Sequence, residues 1–388
     1  MLATWTSFAV RPYLNPLQQV LLLGNTKGFK SSFVVAFSSF SLANSSKSSI
    51  CKMGSKSGNN YNAGFVNLVS RTPVATPSTW GAGNDFGYHN CVVEGLKLNE
   101  RPESVQPGLE NELFDVRKFF KSHLPADCKY GNVMLYSHTF SSTQDFIKEK
   151  CLELPEGTVC VADYQTKARG RGENIWSSPP GCLVFTFKSV VKEGRLLPLM
   201  QYIVSLAIVE AIDSFPGFGD TEISIKWPND IYADRSLKIG GILCESVFKG
   251  GVAVVTIGVG INVDNTEPTT CLRSLCSNSN SNRNSEVAVT RESLLAEILK
   301  RYEQLHKELV DPKQGFERIR KEYEKRWLHS GQQVTLESNN GLKATINGIS
   351  STTGALLATC NSTGEKLELY PDGNRMDFFK GLLTRKLK

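Results

Sequence analysis

Hydrophobic and polar positions are organised very differently on the two sides of residue 111. Residues 1 to about 110 are rich in Ser, Asn, Gly and Pro with little periodicity, and are expected to be largely unstructured. From "ELFDVRKFFKSHL" (112–124) onward the pattern is globular. "NVMLYSHTF" (132–140) alternates with a period of two and predicts a strand, whereas "STQDFIKEKCLEL" (142–154) opens on Ser-Thr and reads as a helix. "TVCVADYQ" and "GCLVFTFK", rich in β-branched and aromatic residues, predict two more strands. "LLPLMQYIVSLAIVEAIDSF" (196–215) is apolar nearly all round, the mark of a helix buried against a sheet.

Three further strands follow in "EISIKW", "KIGGILCESVF" and "VAVVTIGVGINV", then a low-complexity loop expected to be mobile, "CSNSNSNRNS" (276–285). "RESLLAEILKRYEQLHKEL" and "QGFERIRKEYEKRW" predict two helices. Beyond them "QQVTLES", "KATINGIS" and "KLELY" are short strands separated by Gly-containing turns, which predict a small separate β-barrel. The pattern is thus an α+β core over residues 111–328 with a β appendage over 329–388, preceded by a leader (1–84) and a variable linker (85–110).

Charge changes the picture at the start of the chain. The 388 residues carry a net charge of +6, yet residues 1–84 contain no Asp or Glu and hold seven basic residues: Arg11, Lys27, Lys30, Lys47, Lys52, Lys56 and Arg71. Removing those seven leaves about −1 for the remainder, so no general nucleic-acid-binding surface is indicated, and residues 1–110 show no helix-turn-helix pattern. An acid-free, Ser-rich start such as "SSFVVAFSSFSLANSSKSS" is the signature of an organelle transit peptide, with plastid favoured over mitochondrion and an ordinary disordered tail as the alternative. Initiation at Met53 would give a shorter, cytosolic form. "VLLLG" is too short to span a bilayer and no run of about 18–20 apolar residues is evident elsewhere, so no membrane partner is expected. Ten cysteines without a C-x-x-C are too dilute for a disulfide framework, and the five scattered histidines form no metal motif.

Candidate chemistry concentrates in two stretches. In "KWPNDIYADRSLKIGGIL" (226–243), Lys226 and Trp227 precede a Pro-Asn-Asp turn and Lys238 stands just before two glycines. Taken alone, a strand, a turn and a second strand with a bulge account for it. In "DYQTKARGRGENIWSSPPGCLVFTF" (163–187), Gly170 and Gly172 free the backbone to approach a ligand, while Arg169 and Arg171 offer forked donors for carboxylate or phosphate. Such a loop is expected to order on binding an anion; a solvated basic hairpin is the alternative. "GVGIN" (258–262) forms neither G-x-G-x-x-G nor a P-loop, and "SST" (141–143) by itself reads as a helix N-cap.

In combination and in this order, "FSSTQD", "YQTKARGRGENIW-SSPPG", "KWPNDI", "KIGGIL" and "GVGIN" closely resemble the catalytic domain of biotin protein ligases, the holocarboxylase synthetases of eukaryotes. The motifs are strong over residues 130–265 and weaker through 388. The resemblance implies a mixed sheet flanked by helices, related to class II aminoacyl-tRNA synthetase cores, and a C-terminal SH3-like β-barrel. It implies a two-step reaction, biotin plus ATP giving biotinyl-5′-adenylate and then transfer to a lysine of carboxylase carrier domains such as that of acetyl-CoA carboxylase, with Mg²⁺ offsetting the anionic charge. Lys238, Arg169 and Arg171 would be catalytic, contacting the biotin carboxylate and the α-phosphate. Ser142, Thr143, Gln144, Gln165, Gly170 and Gly241 would complete the biotin site. Trp176, Lys226, Asn229, Asp230, Gly258, Gly260 and Asn262 would serve the nucleotide, with Asp230 also on the metal. The glycines would let backbone approach the ligand. Ala168, the absence of further basic residues in "GENI" (172–175), and Gln144 depart from the bacterial pattern. A lipoate or octanoate ligase and a noncatalytic biotin sensor are the alternative readings; a monomer or weak dimer is expected.

Overall fold

The computed structural model describes residues 67–70, 88–90 and 113–385, except 173, 219–220, 266, 279–288, 314, 338–340, 371–373 and 378–379. The expected transit peptide and linker therefore lie outside the described residues, apart from two short strands, as does most of the low-complexity loop.

Nine strands make the main sheet: β1 (Asn67–Ser70), β2 (Tyr88–Asn90), β3 (Val133–Phe140), β4 (Val159–Gln165), β5 (Cys182–Val191), β6 (Ile223–Lys226), β7 (Asp230–Ala233), β8 (Leu237–Lys249) and β9 (Val252–Asn262). Their order is β2-β1-β3-β4-β5-β9-β8-β7-β6. Strands β3 and β4 are parallel and the other neighbours antiparallel, so the sheet is mixed, as expected. Pairing of β1 with both β2 and β3 was not anticipated from a stretch read as unstructured.

The first helices are α1 (Val116–Lys118), which runs into a π-helical turn at Phe119–His123, and α2 (Thr143–Lys150). Helix α2 supplies the crossover that the parallel β3–β4 pair requires. It starts where it does because Ser142, in extended conformation, accepts the Asp145 amide on its side chain. Then come α3 (Met200–Asp213), α4 (Leu272–Asn278), α5 (Arg291–Val310) and α6 (Phe316–Arg326). Thr290 and Ser293 cap α5 reciprocally. Between β8 and β9 the two-residue turn has positive φ at both Gly250 (60°) and Gly251 (79°), which suits the twist of a tight hairpin.

The sheet has a core on each face. Val159, Val161, Leu183, Phe185 and Phe187 point into the larger one with α3, α5 and α6, while Cys160, Ala162, Cys182 and Val184 join Phe146 and Ile147 of α2 on the opposite face. Burial of both faces explains why β4 and β5 read as nearly continuous apolar runs. Helix α3 is buried almost all round, and each fully buried Ile or Leu there is worth on the order of 1.5–3 kcal/mol. With the turn before it, Gly194–Asp213 has the length and composition of a membrane span, correcting the expectation that no such stretch exists; its apolar surface is spent on the core.

The second sheet comprises β10 (Gln333–Leu336), β11 (Leu342–Ile349), β12 (Leu356–Cys360), β13 (Lys366–Leu369), β14 (Asn374–Asp377) and β15 (Leu382–Arg385), in the order β13-β12-β11-β10-β15-β14. Among the described residues β13 and β14 do not pair, so this is an open sheet where a closed SH3-like barrel was expected. Closure is not needed to hide its apolar face: Val334, Leu336, Ala344, Ile346, Ile349, Leu356 and Ala358 belong to the same core as α3 and α6.

Candidate active site

A cleft of about 760 Å³ lies where the N-terminus of α2, the β4–β5 loop and the β6–β7–β8 hairpins meet. Of the residues singled out in the sequence, Ser142, Thr143, Gln144, Gln165, Arg169, Gly170, Arg171, Trp176, Lys226, Asn229, Asp230, Lys238, Gly241, Gly258 and Gly260 all line it. Asn262 does not. Its side chain donates to Thr269 and to the Thr270 carbonyl and accepts from Asn265, so it holds the loop after β9.

The floor is built from glycines, for a different reason than the one expected. Gly241 and Gly260 face each other across β8 and β9, and the Trp176 indole rests on the pair. A Cβ on Gly260 would lie 2.5 Å from Trp176 Cε2, and one on Gly241 would lie 3.1 Å from Cζ3. At Gly258 the obstruction would be Gln144 Oε1, 2.6 Å away. These glycines make room for protein side chains, and the Trp176 ring, not bare backbone, faces the cleft.

One part of the cleft presents uncharged hydrogen-bonding groups at Thr143 and Gln165. Gln165 Oε1 accepts from Thr143 N (2.7 Å) and Oγ1 (3.1 Å), and Thr143 Oγ1 shares a 2.9 Å hydrogen bond with Thr186 Oγ1. Gln144, expected to face the ligand, is 4% exposed and engaged at both ends of its amide: Nε2 donates to Glu245 (3.0 Å) and to Thr256 Oγ1 (3.1 Å), and Oε1 accepts from Thr186. Ser142 is likewise occupied as the α2 cap. Both support Thr143 and Gln165 while lining the cleft themselves, and the Ser142 hydroxyl, an acceptor in the cap, keeps its own proton to donate.

Another part is cationic. Lys238 Nζ lies 2.6 Å from Asp230 Oδ1 and 5.6 Å from the Trp176 ring centroid. Lys226 Nζ lies 3.4 Å from Asp230 Oδ2 and 5.8 Å from the Tyr232 ring centroid. Asn229 donates to the Ile242 carbonyl at 2.6 Å, tying the Pro-Asn-Asp turn to β8. Among the described residues that line the cleft Asp230 is the sole carboxylate, and both its oxygens face lysines. Among the described residues no cluster of three His, Cys, Asp or Glu exists either. Asp230 was expected to hold Mg²⁺; a single carboxylate flanked by two lysines would leave most of such an ion's coordination to phosphate oxygens and water.

Arg169 lines the cleft and is also paired with two carboxylates. Its Nη2 pairs with Asp145 Oδ1 (2.5 Å) and Glu245 Oε2 (3.0 Å). Burial alone would raise the Glu245 carboxyl, but hydrogen bonds from Lys148 and Gln144 and the Arg169 charge hold it below the usual carboxylate range. Gly170 N bonds to Asn174 O and Trp176 N to Ala168 O, so the described part of the loop forms a hairpin over the cleft. Thr186, Glu245 and Asp145 were missed. Thr186, fully buried, had one signal, a hydroxyl inside an apolar strand; the acids had none.

Fold and cleft together define an α+β protein whose cleft brings uncharged hydrogen-bonding side chains and lysines together. The model described as "Biotin/lipoate A/B protein ligase family" matches residues 136–262. Biotin–protein ligase 2 of Arabidopsis thaliana is 41% identical over 271 residues, covering 67% of this chain and 79% of its own length. Biotin–protein ligase 1, chloroplastic, of the same plant is 40% identical over 67% of this chain and 71% of its own. A solved structure, the biotin protein ligase from Aquifex aeolicus in complex with biotin and ATP, is 26% identical with a TM-score of 0.45, covering 61% of this chain and 98% of that one. The chain belongs to the biotin protein ligase family.

Proposed function

We propose that this protein is an ATP-dependent ligase that attaches biotin, through biotinyl-5′-adenylate, to a lysine of carboxylase carrier domains. The observation carrying the reading is the polarity of the cleft: a neutral hydrogen-bonding end at Thr143 and Gln165 suits a ureido ring, and the lysine-rich end suits a carboxylate meeting a phosphate. In the first step a biotin carboxylate oxygen forms a bond to the α-phosphorus of ATP, the bond to the bridging β-phosphate oxygen breaks, and pyrophosphate leaves. Two anions must approach, so Lys238 and Arg171 act by stabilising charge that accumulates between them. Lys238 exchanges Asp230 for the ligand anion, while Lys226 and Trp176 serve the nucleotide side. Mg²⁺ accompanies ATP, and no step is routed through a protein-held metal. In the second step the acceptor amine bonds to the acyl carbon, AMP leaves with the former carboxylate oxygen, and the nitrogen loses a proton. The loop over the cleft keeps water from the mixed anhydride meanwhile.

The test is ATP–pyrophosphate exchange by the full chain with and without biotin. Biotin-dependent exchange that falls at least a hundredfold in Lys238→Ala and Arg171→Ala is expected, about the loss seen when one stabilising charge is removed. Exchange with lipoate or octanoate but not biotin would move the protein to the other branch of its family, and tight biotin binding without exchange would leave a sensor. A plastid address is proposed for residues 1–84 from their acid-free, Ser-rich composition. A fluorescent fusion of that segment that stays out of plastids would count against it.

A further inference from the structure

The cationic turn is held from outside the cleft, by the C-terminal part of the chain. Leu328 N donates to the Ile225 carbonyl at 3.0 Å, so the segment leaving α6 runs beside β6. The next residue, His329, is fully buried, and its Nε2 lies 2.8 Å from the Trp227 amide. A backbone N–H can only donate, so Nε2 is the acceptor and the ring proton resides on Nδ1, 2.8 Å from Gln332 Oε1. On the indole side, Trp227 Nε1 donates to Tyr202 OH at 3.1 Å, and that hydroxyl donates to the Gly354 carbonyl at 2.6 Å. Gly354 lies between β11 and β12 and packs so closely that a Cβ there would come within 3.1 Å of Leu199. Two points of the C-terminal segment therefore grip one residue, itself fully buried, between Lys226 and the Pro-Asn-Asp turn.

We propose that His329 is a positioning residue for residues 226–230: by accepting the Trp227 amide it fixes where Lys226 and Asp230 point, so that the second sheet sets the nucleotide half of the cleft. The inference rests on the reading of Lys226 and Asp230 as nucleotide-side groups. Loss of the acceptor leaves a buried donor unsatisfied, which the turn relieves only by moving. A shift of about an ångström in a charged group next to a phosphate is enough to cost one to two orders of magnitude.

The experiment compares His329→Leu, which removes the acceptor, with His329→Gln, whose Oε1 reaches the place of Nε2. Two readouts are taken on the full chain: KM for ATP and for biotin in pyrophosphate exchange, and hydrogen–deuterium exchange resolved to the Trp227 amide. His329→Leu is expected to raise the ATP KM roughly tenfold or more with the biotin KM unchanged, and to speed exchange at Trp227. His329→Gln is expected to recover most of both. Tyr202→Phe, which cuts the Gly354 link, is expected to move the ATP KM in the same direction, and it carries the test if His329→Leu does not fold. A faster Trp227 amide with an unchanged ATP KM would overturn the proposal, because the bond would then exist without positioning anything. So would a fall in kcat with both KM values moving together and no recovery by Gln, the mark of a general structural defect. Lys226→Ala with an unchanged ATP KM would instead remove the underlying reading of the turn, whatever the Trp227 amide does.

Discussion

The strongest single-residue constraint in the cleft is the fit between Trp176 and Gly260. Because a Cβ at Gly260 would stand 2.5 Å from the indole, Gly260→Ala forces the ring off its seat or bends β9. Overpacking of this kind costs about 1–3 kcal/mol in a tight core. Here the β4–β5 loop absorbs much of it, so the damage falls on ligand affinity more than on folding. Gly260→Ala is expected to weaken adenylate formation at least tenfold with a modest change in Tm, and Trp176→Phe in the same chain is expected to restore part of it, the smaller ring leaving space. Exchange kinetics beside thermal unfolding check this. At the same scale, sequence reading named positions that the fold gathers in one cleft, but not the contacts that hold them there. Gln144 and Ser142 line the cleft and also help hold Thr143 in place. For Gln144 that support depends on Glu245, Thr256 and Thr186, which lie 101, 112 and 42 positions from it and which no local motif names.

At the scale of elements, the β4–β5 loop is clipped to α2 and β8 by Arg169, Asp145 and Glu245. These side chains are between a fifth and two-fifths exposed, so each pair is screened by solvent and worth about 0–1 kcal/mol to the fold. Asp145→Asn combined with Glu245→Gln is therefore expected to leave Tm nearly unchanged while trypsin cuts the ligand-free chain several-fold faster after Arg169 and Arg171. Equal cleavage rates in wild type and variant would show that the pairs hold nothing. The long elements were legible because their patterns are unambiguous: α3 is apolar all round, and α5 carries both its cap and its amphipathic spacing. Of the shortest strands, β6, β10 and β13 were read from β-branched or alternating stretches, whereas β1, β2, β7 and β12 were not. So short a run has no period to read, and what makes it a strand is the partner it pairs with.

For the molecule as a whole, the two sheets share one core, which is why the apparent boundary in pattern near residue 329 corresponds to a change of sheet and not to a break in packing. His329 sits at that junction, and burial, with a smaller push from the Lys226 charge, lowers its imidazole to about 4. The unfolded chain, with its histidine near 6.5, binds the proton first as pH falls. The stability that neutral His329 contributes is thus complete above about pH 6.5 and is lost as pH falls through about 4. Replacing it with Gln, which does not titrate, is expected to make Tm less steep against pH between those values. Parallel Tm profiles for wild type and His329→Gln would contradict this. Among the described residues the second sheet is open where a closed barrel was expected, for a related reason. Its short, turn-separated strands are common to both, and what distinguishes them is the apolar floor provided by α3 and α6.

The grip on Trp227 also bears on how the chain can be recombined. A chimera joining the first sheet of one family member to the second sheet of another inherits its cleft from both parents. Such a graft is workable where the histidine and glutamine of the junction, the tyrosine of α3 and the Gly354 turn are transferred as a matched set. A seam placed at residue 329 for convenience would separate them.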